Sequence, residues 1–220
     1  MGKIIGRLWE KAQQYDSDEL KDQSPHSHAY HAYFRGYSEW KVPRKNGKGY
    51  RIERLYTADY HKYAETDLMW RGKKLYYLTA YLAAVGIYII GASQASALNS
   101  TMPIGIAEVL SLLSLAYLGY SLVFQLLAKR HMTEGEYLSA SIHLKWGALV
   151  SACLAAFVSV LMLILQCFTG FHWDINDISA FGSLLGTAFV CFILYQMEAM
   201  RSTERIKNNN VTPKDANEIW

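Results

Sequence analysis

The chain has 220 residues, of which 51% are hydrophobic and 19% charged, with a net charge of +3 and a mean hydropathy of 0.00. So small a charge imbalance gives no ground for nucleic-acid binding. Three cysteines, Cys153, Cys167 and Cys191, share no repeated spacing, which argues against a disulfide framework or a zinc site and for buried free thiols acting as small apolar residues. The zero mean is an average of two unlike regions, polar before Lys74 and strongly apolar after it.

Gly2–Tyr15 reads as an amphipathic helix, with Ile4, Ile5, Leu8, Trp9 and Ala12 at helical spacing and Lys3, Arg7 and Lys11 opposite. Such a helix suits the inner-leaflet interface or a docking site on the chain's own cytoplasmic part. It has no apolar run of the length a cleaved signal peptide needs, so the first span is expected to act as its own signal. Asp16–Ala29 is polar, contains Pro25 and reads as a linker. His26, His28 and His31 cluster around its end with no carboxylate or thiol close by, and no structured metal site is expected from them.

Tyr37–Tyr56 carries the β signal: two alternating arms flank Arg44–Lys48, where Asn46-Gly47 can take positive φ. An isolated two-stranded hairpin is marginal in water, so this one needs a surface to lean on. A helix is then expected to start near Ala58, capped by Thr57 or Asp59, and to run through His61, Glu65 and Trp70 into the first span.

Four apolar stretches follow: Leu75–Ala92, Ile104–Ala128, Trp146–Cys167 and Ala180–Met200. Each is long enough, at about 1.5 Å per residue, to cross a hydrocarbon core about 30 Å thick. Of the 22 Lys and Arg residues, 15 precede the first stretch, three lie between the second and third, and four follow the last. The connections Ser93–Pro103 and Phe168–Ser179 hold none. Because cytoplasmic segments retain Lys and Arg, both termini are expected inside. Trp70, Lys73, Lys74 and Trp146 would anchor the inner interface and Trp173 the outer one. The segment Lys129–Lys145 has room for a partial helical turn, and the tail from Arg201 is expected to begin helical and fray at Asn208–Asn210.

The fold class that follows is an all-α membrane protein, a four-helix transmembrane bundle with N-in/C-in threading and a small cytoplasmic N-terminal region. Residues 1–57 form the arm (amphipathic helix, linker, β-hairpin), 58–200 the bundle and 201–220 a cytoplasmic tail. Lipid supplies no hydrophobic drive between helices, so small residues should mark packing faces. Gly182 and Gly186, Ser151/Ala155, Ala152/Ala156, Ala80/Ala84 and Gly86 are such candidates, within one chain or between copies.

Two acids lie in the spans, and an intramembrane acid is a functional candidate by default. Glu108 sits five residues beyond Pro103 and Glu198 three before Arg201, so neither is at the midplane. Glu198 can pair with Arg201 at helical spacing, or with Lys129 or Arg130 across the bundle. Glu108 gains from the positive end of its helix dipole, and a transport-coupling role is the alternative for either acid. In the outer loop, His172, Asp174 and Asp177 could gather a cation, but a helix cap from Asp177 or Ser179 is the simpler expectation. Tyr77, Tyr81 and Tyr88 line one span and Tyr117 and Tyr120 the next; packing between helices with hydroxyls bonded to Ser or Thr is the expectation, and a polar path lined by the stripe is the alternative. Gln125, Gln166 and Gln196 lie toward span ends.

No phosphate-binding loop, dinucleotide fingerprint, zinc-protease motif or nucleophile elbow occurs. The expectation is a multi-pass protein of a plasma or inner membrane that is not an enzyme and needs no cofactor. Its partners are the lipid bilayer and another membrane subunit or further copies of itself, and not nucleic acid. It would serve as a non-catalytic subunit of a larger membrane, for instance transport, complex. The alternatives are a small oligomeric transporter or pore, and a sensor that perturbs the membrane.

Overall fold

The computed structural model describes residues 36–43, 50–169 and 173–208. They fall into two compact units, one of residues up to Lys62, His131–Gly135 and those from Glu204 on, the other of Tyr63–Arg130 and Glu136–Thr203.

In the first unit, β1 (Tyr37–Pro43) pairs antiparallel with β2 (Tyr50–Tyr56), setting Tyr37 against Tyr56 and Pro43 against Tyr50. The expected turn at Arg44–Lys48 lies outside the described residues, as do the helix at Gly2–Tyr15, the linker, and His26, His28 and His31. Gly36 turns the chain into β1 at φ +81, where a Cβ would come within 2.7 Å of the Ala58 Cβ. Its carbonyl accepts the amides of Thr57 and Ala58, so only glycine fits this junction without strain.

The helix expected from Ala58 does not form. Tyr60–Tyr63 is a strand, β3, at the centre of a sheet ordered β4-β3-β5, with β4 at His131–Met132 and β5 at Thr203–Ile206. The tail therefore leaves the bundle as a strand and not as a helix. Both corrections have one cause: the aromatic and β-branched residues of Tyr60–Tyr63 and Thr203–Ile206 satisfy their backbones by pairing with segments distant in sequence. Nothing local shows that pairing.

The second unit is built on helices. α1 (Asp67–Ala92) starts where the Thr66 hydroxyl accepts the amide of Met69 at 3.4 Å, with Asp67 in the first turn. α2 (Met102–Leu127) has Pro103 in its first turn, where the missing amide costs nothing. α3 (Glu134–Tyr137) runs through a π-helical turn at Leu138–Ile142 into α4 (His143–Thr169), so the second connection, Lys129–Lys145, holds more helix than a partial turn. α5 (Ile175–Ala199) is capped by Asp174, not by Asp177 or Ser179; Asp177 is the reciprocal member of the capping box.

Four helical segments are long and apolar enough to cross a membrane, and they contain the four predicted stretches to within a residue or two at the ends. They form an up-and-down bundle in which α1 packs on α5, α5 on α4 and α4 on α2, while α1 and α2 touch sparsely. The buried layer is rich in small residues, among them Ala84, Ala148, Ala152, Ala155, Ala180 and Ala188. Leu82, Ile90, Leu113, Phe157 and Phe189 point outward and are exposed. An aliphatic exterior around a small-residue interior suits lipid as the solvent. Gly147 lies against the Leu118 backbone, where a Cβ would come within 3.4 Å, and so sets the spacing of α4 on α2. Of the three thiols only Cys191 is buried; Cys153 and Cys167 are exposed, so burial accounts for one of them.

Candidate functional site

A cluster of buried charged side chains lies at the end of the bundle that carries Lys74, Arg130 and Arg201. Its centre is Glu198, in the last turn of α5, with a side chain wholly removed from solvent. Tyr77 of α1 donates to Glu198 Oε2 at 2.6 Å, and Ser141, held in the π-turn, donates to Oε1. Tyr63 approaches Oε1 at 3.5 Å and Arg201 Nη1 approaches Oε2 at 3.4 Å. The pairing of Glu198 with Arg201 follows the helical spacing; Lys129 and Arg130 take no part in it.

Arg201 is also buried, its side chain 1% exposed. Its guanidinium lies 3.4 Å from the centroid of the Tyr63 ring, an arrangement worth more in a desolvated site than at a surface. The same group forks onto Glu65, Nε to Oε1 at 3.1 Å and Nη2 to Oε2 at 3.3 Å. Gln125 of α2 completes the enclosure. Arginine can only donate and a carbonyl can only accept, so the amide oxygen faces Arg201 Nη1 at 2.5 Å and the nitrogen faces the Ala140 carbonyl at 3.1 Å. Lys73 joins Glu65 Oε1 at 2.5 Å. Two carboxylates thus meet two cations, and each buried charge has the partners that make burial tolerable.

Around this core the ends of α1 and α2 are tied down. Lys74 donates to the carbonyls of Leu126 and Ala128, each at 2.7 Å, and lies 3.8 Å over the Trp70 ring. It thereby satisfies orphan carbonyls at the negative end of α2. Arg130 pairs with Asp67 at 2.6 Å and donates to the Glu65 carbonyl.

Burial works to raise the Glu65 carboxyl, but the Lys73 hydrogen bond and the Arg201 charge outweigh it and hold it below the usual carboxylate value. Burial, followed by the Glu198 charge, pushes the Tyr63 phenol up. For Arg201, burial is outweighed by Glu198, so its cation is held more firmly. A depressed carboxyl binds fewer protons folded than unfolded. Its stabilisation is complete above the unfolded value, about 4.3, and is lost as pH falls through the folded one. Thermal midpoints in mild detergent are therefore expected to drop in this acid range, and to drop less steeply in Glu65→Gln. Parallel curves for the two proteins would show that Glu65 does not contribute.

At the opposite end, Asp177 is buried. It accepts Ser96 on Oδ1, and Gln166 at 3.2 Å and the Asp174 amide at 3.3 Å on Oδ2. This is a cap that also ties α4 and the α1–α2 connection to α5. Asp177→Ala is expected to cost about 1–2 kcal/mol in chemical unfolding, a lost cap with donors left stranded.

The other expected positions separate. Glu108 is half-buried and far from Glu198 along the bundle, beside Tyr88, whose hydroxyl binds its backbone carbonyl at 2.6 Å. Gly182 is exposed, and a Cβ there would meet nothing within 4 Å; at Gly186 it would meet Ile87 at 3.5 Å. The close approach of α1 to α5 instead occurs at Gly91, where a Cβ would stand 2.9 Å from the Ser183 Cβ. Trp146 is exposed, and Trp173 meets the Phe181 ring edge-on at 5.6 Å. His172 lies outside the described residues. The buried tyrosines bond to Glu198 and to backbone carbonyls, not to Ser or Thr, because a carbonyl or carboxylate is the stronger acceptor available.

Tyr63, Glu65, Tyr77, Gln125, Ser141 and Arg201 had not been grouped as a site. The signals in the sequence were the three-residue spacing of Glu198 and Arg201 and Gln125, an amide inside the run Val123–Leu127. Among the described residues no group of three or more His, Cys, Asp or Glu could hold a metal ion. Comparison with protein families, characterised proteins and solved structures found no match, so the functional reading rests on this geometry.

Proposed function

We propose that this chain is a non-catalytic subunit of a larger membrane complex, such as a transport system, threaded with both termini in the cytoplasm. The observation that carries the reading is the saturation of Glu198. Tyr77, Ser141, Tyr63 and Arg201 surround its carboxylate. A coupling acid must exchange its proton or ion with a pathway, whereas this one is committed to holding helices together. The layer between the two polar ends carries no buried charge among the described residues: Ala84, Leu115, Ala152, Leu184 and Cys191 are buried there, with the hydroxyls of Ser111, Ser121, Ser151, Ser159 and Thr187. The clustering of Lys73, Lys74, Arg130 and Arg201 at one end of the bundle supports the threading, since basic residues are retained on the cytoplasmic side.

The exposed Gly182, with no neighbour for a Cβ, favours a second reading: a homo-oligomer that forms a small transporter or pore. Native mass measurement in mild detergent separates the two. A different chain at fixed ratio supports the subunit reading. A homo-oligomer that by itself exchanges a solute across liposomes overturns it. A reporter at Trp220 tests the threading, and its access from outside the cell would overturn that part.

A further inference from the structure

Most cations at the Glu198 end of the bundle are spent within the chain. Arg201 and Lys73 engage Glu198 and Glu65, and Arg130 engages Asp67. Lys74 is given to the carbonyls of Leu126 and Ala128. Arg71 and Lys129 are left over. Both are exposed, and neither has an ion pair or a hydrogen bond among the described residues.

The packing brings these two cations together. Asp67, Arg71 and Lys74 stand four and three residues apart, so they share one face of α1. Asp67 meets Arg130 at 2.6 Å, and Lys74 meets the Ala128 carbonyl at 2.7 Å. Arg71 lies between Asp67 and Lys74 along the helix, as Lys129 lies between Ala128 and Arg130 along the segment that leaves α2. The two contacts on either side therefore set Arg71 beside Lys129. The only acid on this face, Asp67, is already neutralised by Arg130.

The border of this patch is apolar toward the interior of the bilayer. Leu75 follows Arg71 by one helical turn, Leu127 ends α2 two residues before Lys129, and both are exposed. A soluble anion gains nothing from leucines beside it, whereas a lipid uses both parts: its phosphate meets the cations and its chains meet the leucines. An arginine fork matches two phosphate oxygens, and a lysine adds a point charge. The positive end of the α1 dipole lies at the same end and favours an anion there. A zwitterionic headgroup brings an ammonium of its own, which these cations repel.

We propose that Arg71 and Lys129 hold the phosphate of one anionic phospholipid, whose acyl chains lie against Leu75 and Leu127. The threading proposed above makes it a lipid of the cytoplasmic leaflet; the subunit role does not enter.

The test titrates the purified chain in mild detergent with phosphatidylglycerol and with phosphatidylcholine of the same acyl chains, and counts bound lipid by native mass spectrometry. Phosphatidylglycerol should bind about tenfold more tightly, the scale set by cations at an anionic headgroup. Arg71→Gln with Lys129→Gln should abolish this preference. It should leave the helical circular dichroism unchanged, because neither side chain has a partner to lose. Arg71→Lys with Lys129→Arg should keep the preference. Arg205→Gln with Lys207→Gln removes the same charge from the strand at the tail and should keep it too. Glycerol phosphate, the headgroup chemistry without the chains, should not displace the lipid at equal concentration. Equal binding of the two lipids overturns the proposal. Loss of the preference in the tail variant would mark a general effect of charge and also overturns it, as does displacement by glycerol phosphate, the behaviour of a site for a soluble anion. The binding measurement has no sidedness and needs no partner chain, so its failure strikes this site alone. The reporter at Trp220 and the native mass of the complex test the threading and the subunit reading separately.

Discussion

Arg201→Met is expected to destabilise the helical unit by about 3–5 kcal/mol, the cost of breaking a buried ion pair by removing one partner. Methionine replaces most of the volume but none of the charge. Glu198, with its side chain wholly buried, is then left with hydroxyl donors only, and Glu65 keeps Lys73. The loss should appear as a lowered midpoint in chemical unfolding from mild detergent. Adding Glu198→Gln should restore part of it, because the amide no longer strands a charge. A double variant whose loss equals the sum of the losses in Arg201→Met and in Glu198→Gln alone would show that the two residues are not coupled, since a cycle isolates their mutual term. Arg201→Lys is expected to be poorly tolerated as well. A lysine cannot fork onto Glu65 while lying flat on the Tyr63 ring.

Gly91→Leu is the second large expected effect, about 1–3 kcal/mol from overpacking. A Cβ at this position would stand 2.9 Å from the Ser183 Cβ and 3.3 Å from the Ala180 carbonyl. Neither atom can swing aside, so α1 would have to move off α5. The comparison is Gly182→Leu, whose Cβ meets nothing within 4 Å, and which is expected to leave the isolated chain's unfolding midpoint unchanged. Equal effects at both positions would mean that the α1–α5 contact does not run through Gly91.

These two predictions concern residues that a reading of motifs ranks in the wrong order. Gly182 and Gly186 form a Gly-x-x-x-Gly in the sequence, and Gly91 forms none. Spacing shows that two small residues share a face, but not whether a neighbouring helix covers it. Only the crossing of α1 over α5 distinguishes them. Glu198 is a similar case. Its partner Arg201 was visible at three residues' distance, because helical spacing is local. Tyr63, Tyr77, Gln125 and Ser141 come from four other parts of the chain, and no local rule assembles them.

The boundaries divide the same way. Runs of apolar residues located the four long helices, since crossing length and composition are properties of a continuous segment. The strands at Tyr60–Tyr63 and Thr203–Ile206 escaped notice, because each is short and finds its hydrogen bonds on segments far away in sequence. The cap at Asp174 was displaced by one turn for a smaller reason. Asp174 and Asp177 are three residues apart, and a capping box uses both, so residue type alone could not say which stands first.

What the sequence by itself determined is the number, length and greasy character of the helices and the one-sided placement of the basic residues. Those depend on backbone hydrogen bonds closed within a segment and on a solvent that any apolar run meets alike. What only the tertiary structure decided is which polar side chains are spent on one another and which are left over. Charge compensation at Glu198 and the burial of a Glu108 Oε1 that finds no donor among the described residues are relations between segments, and they exist only once the helices have packed.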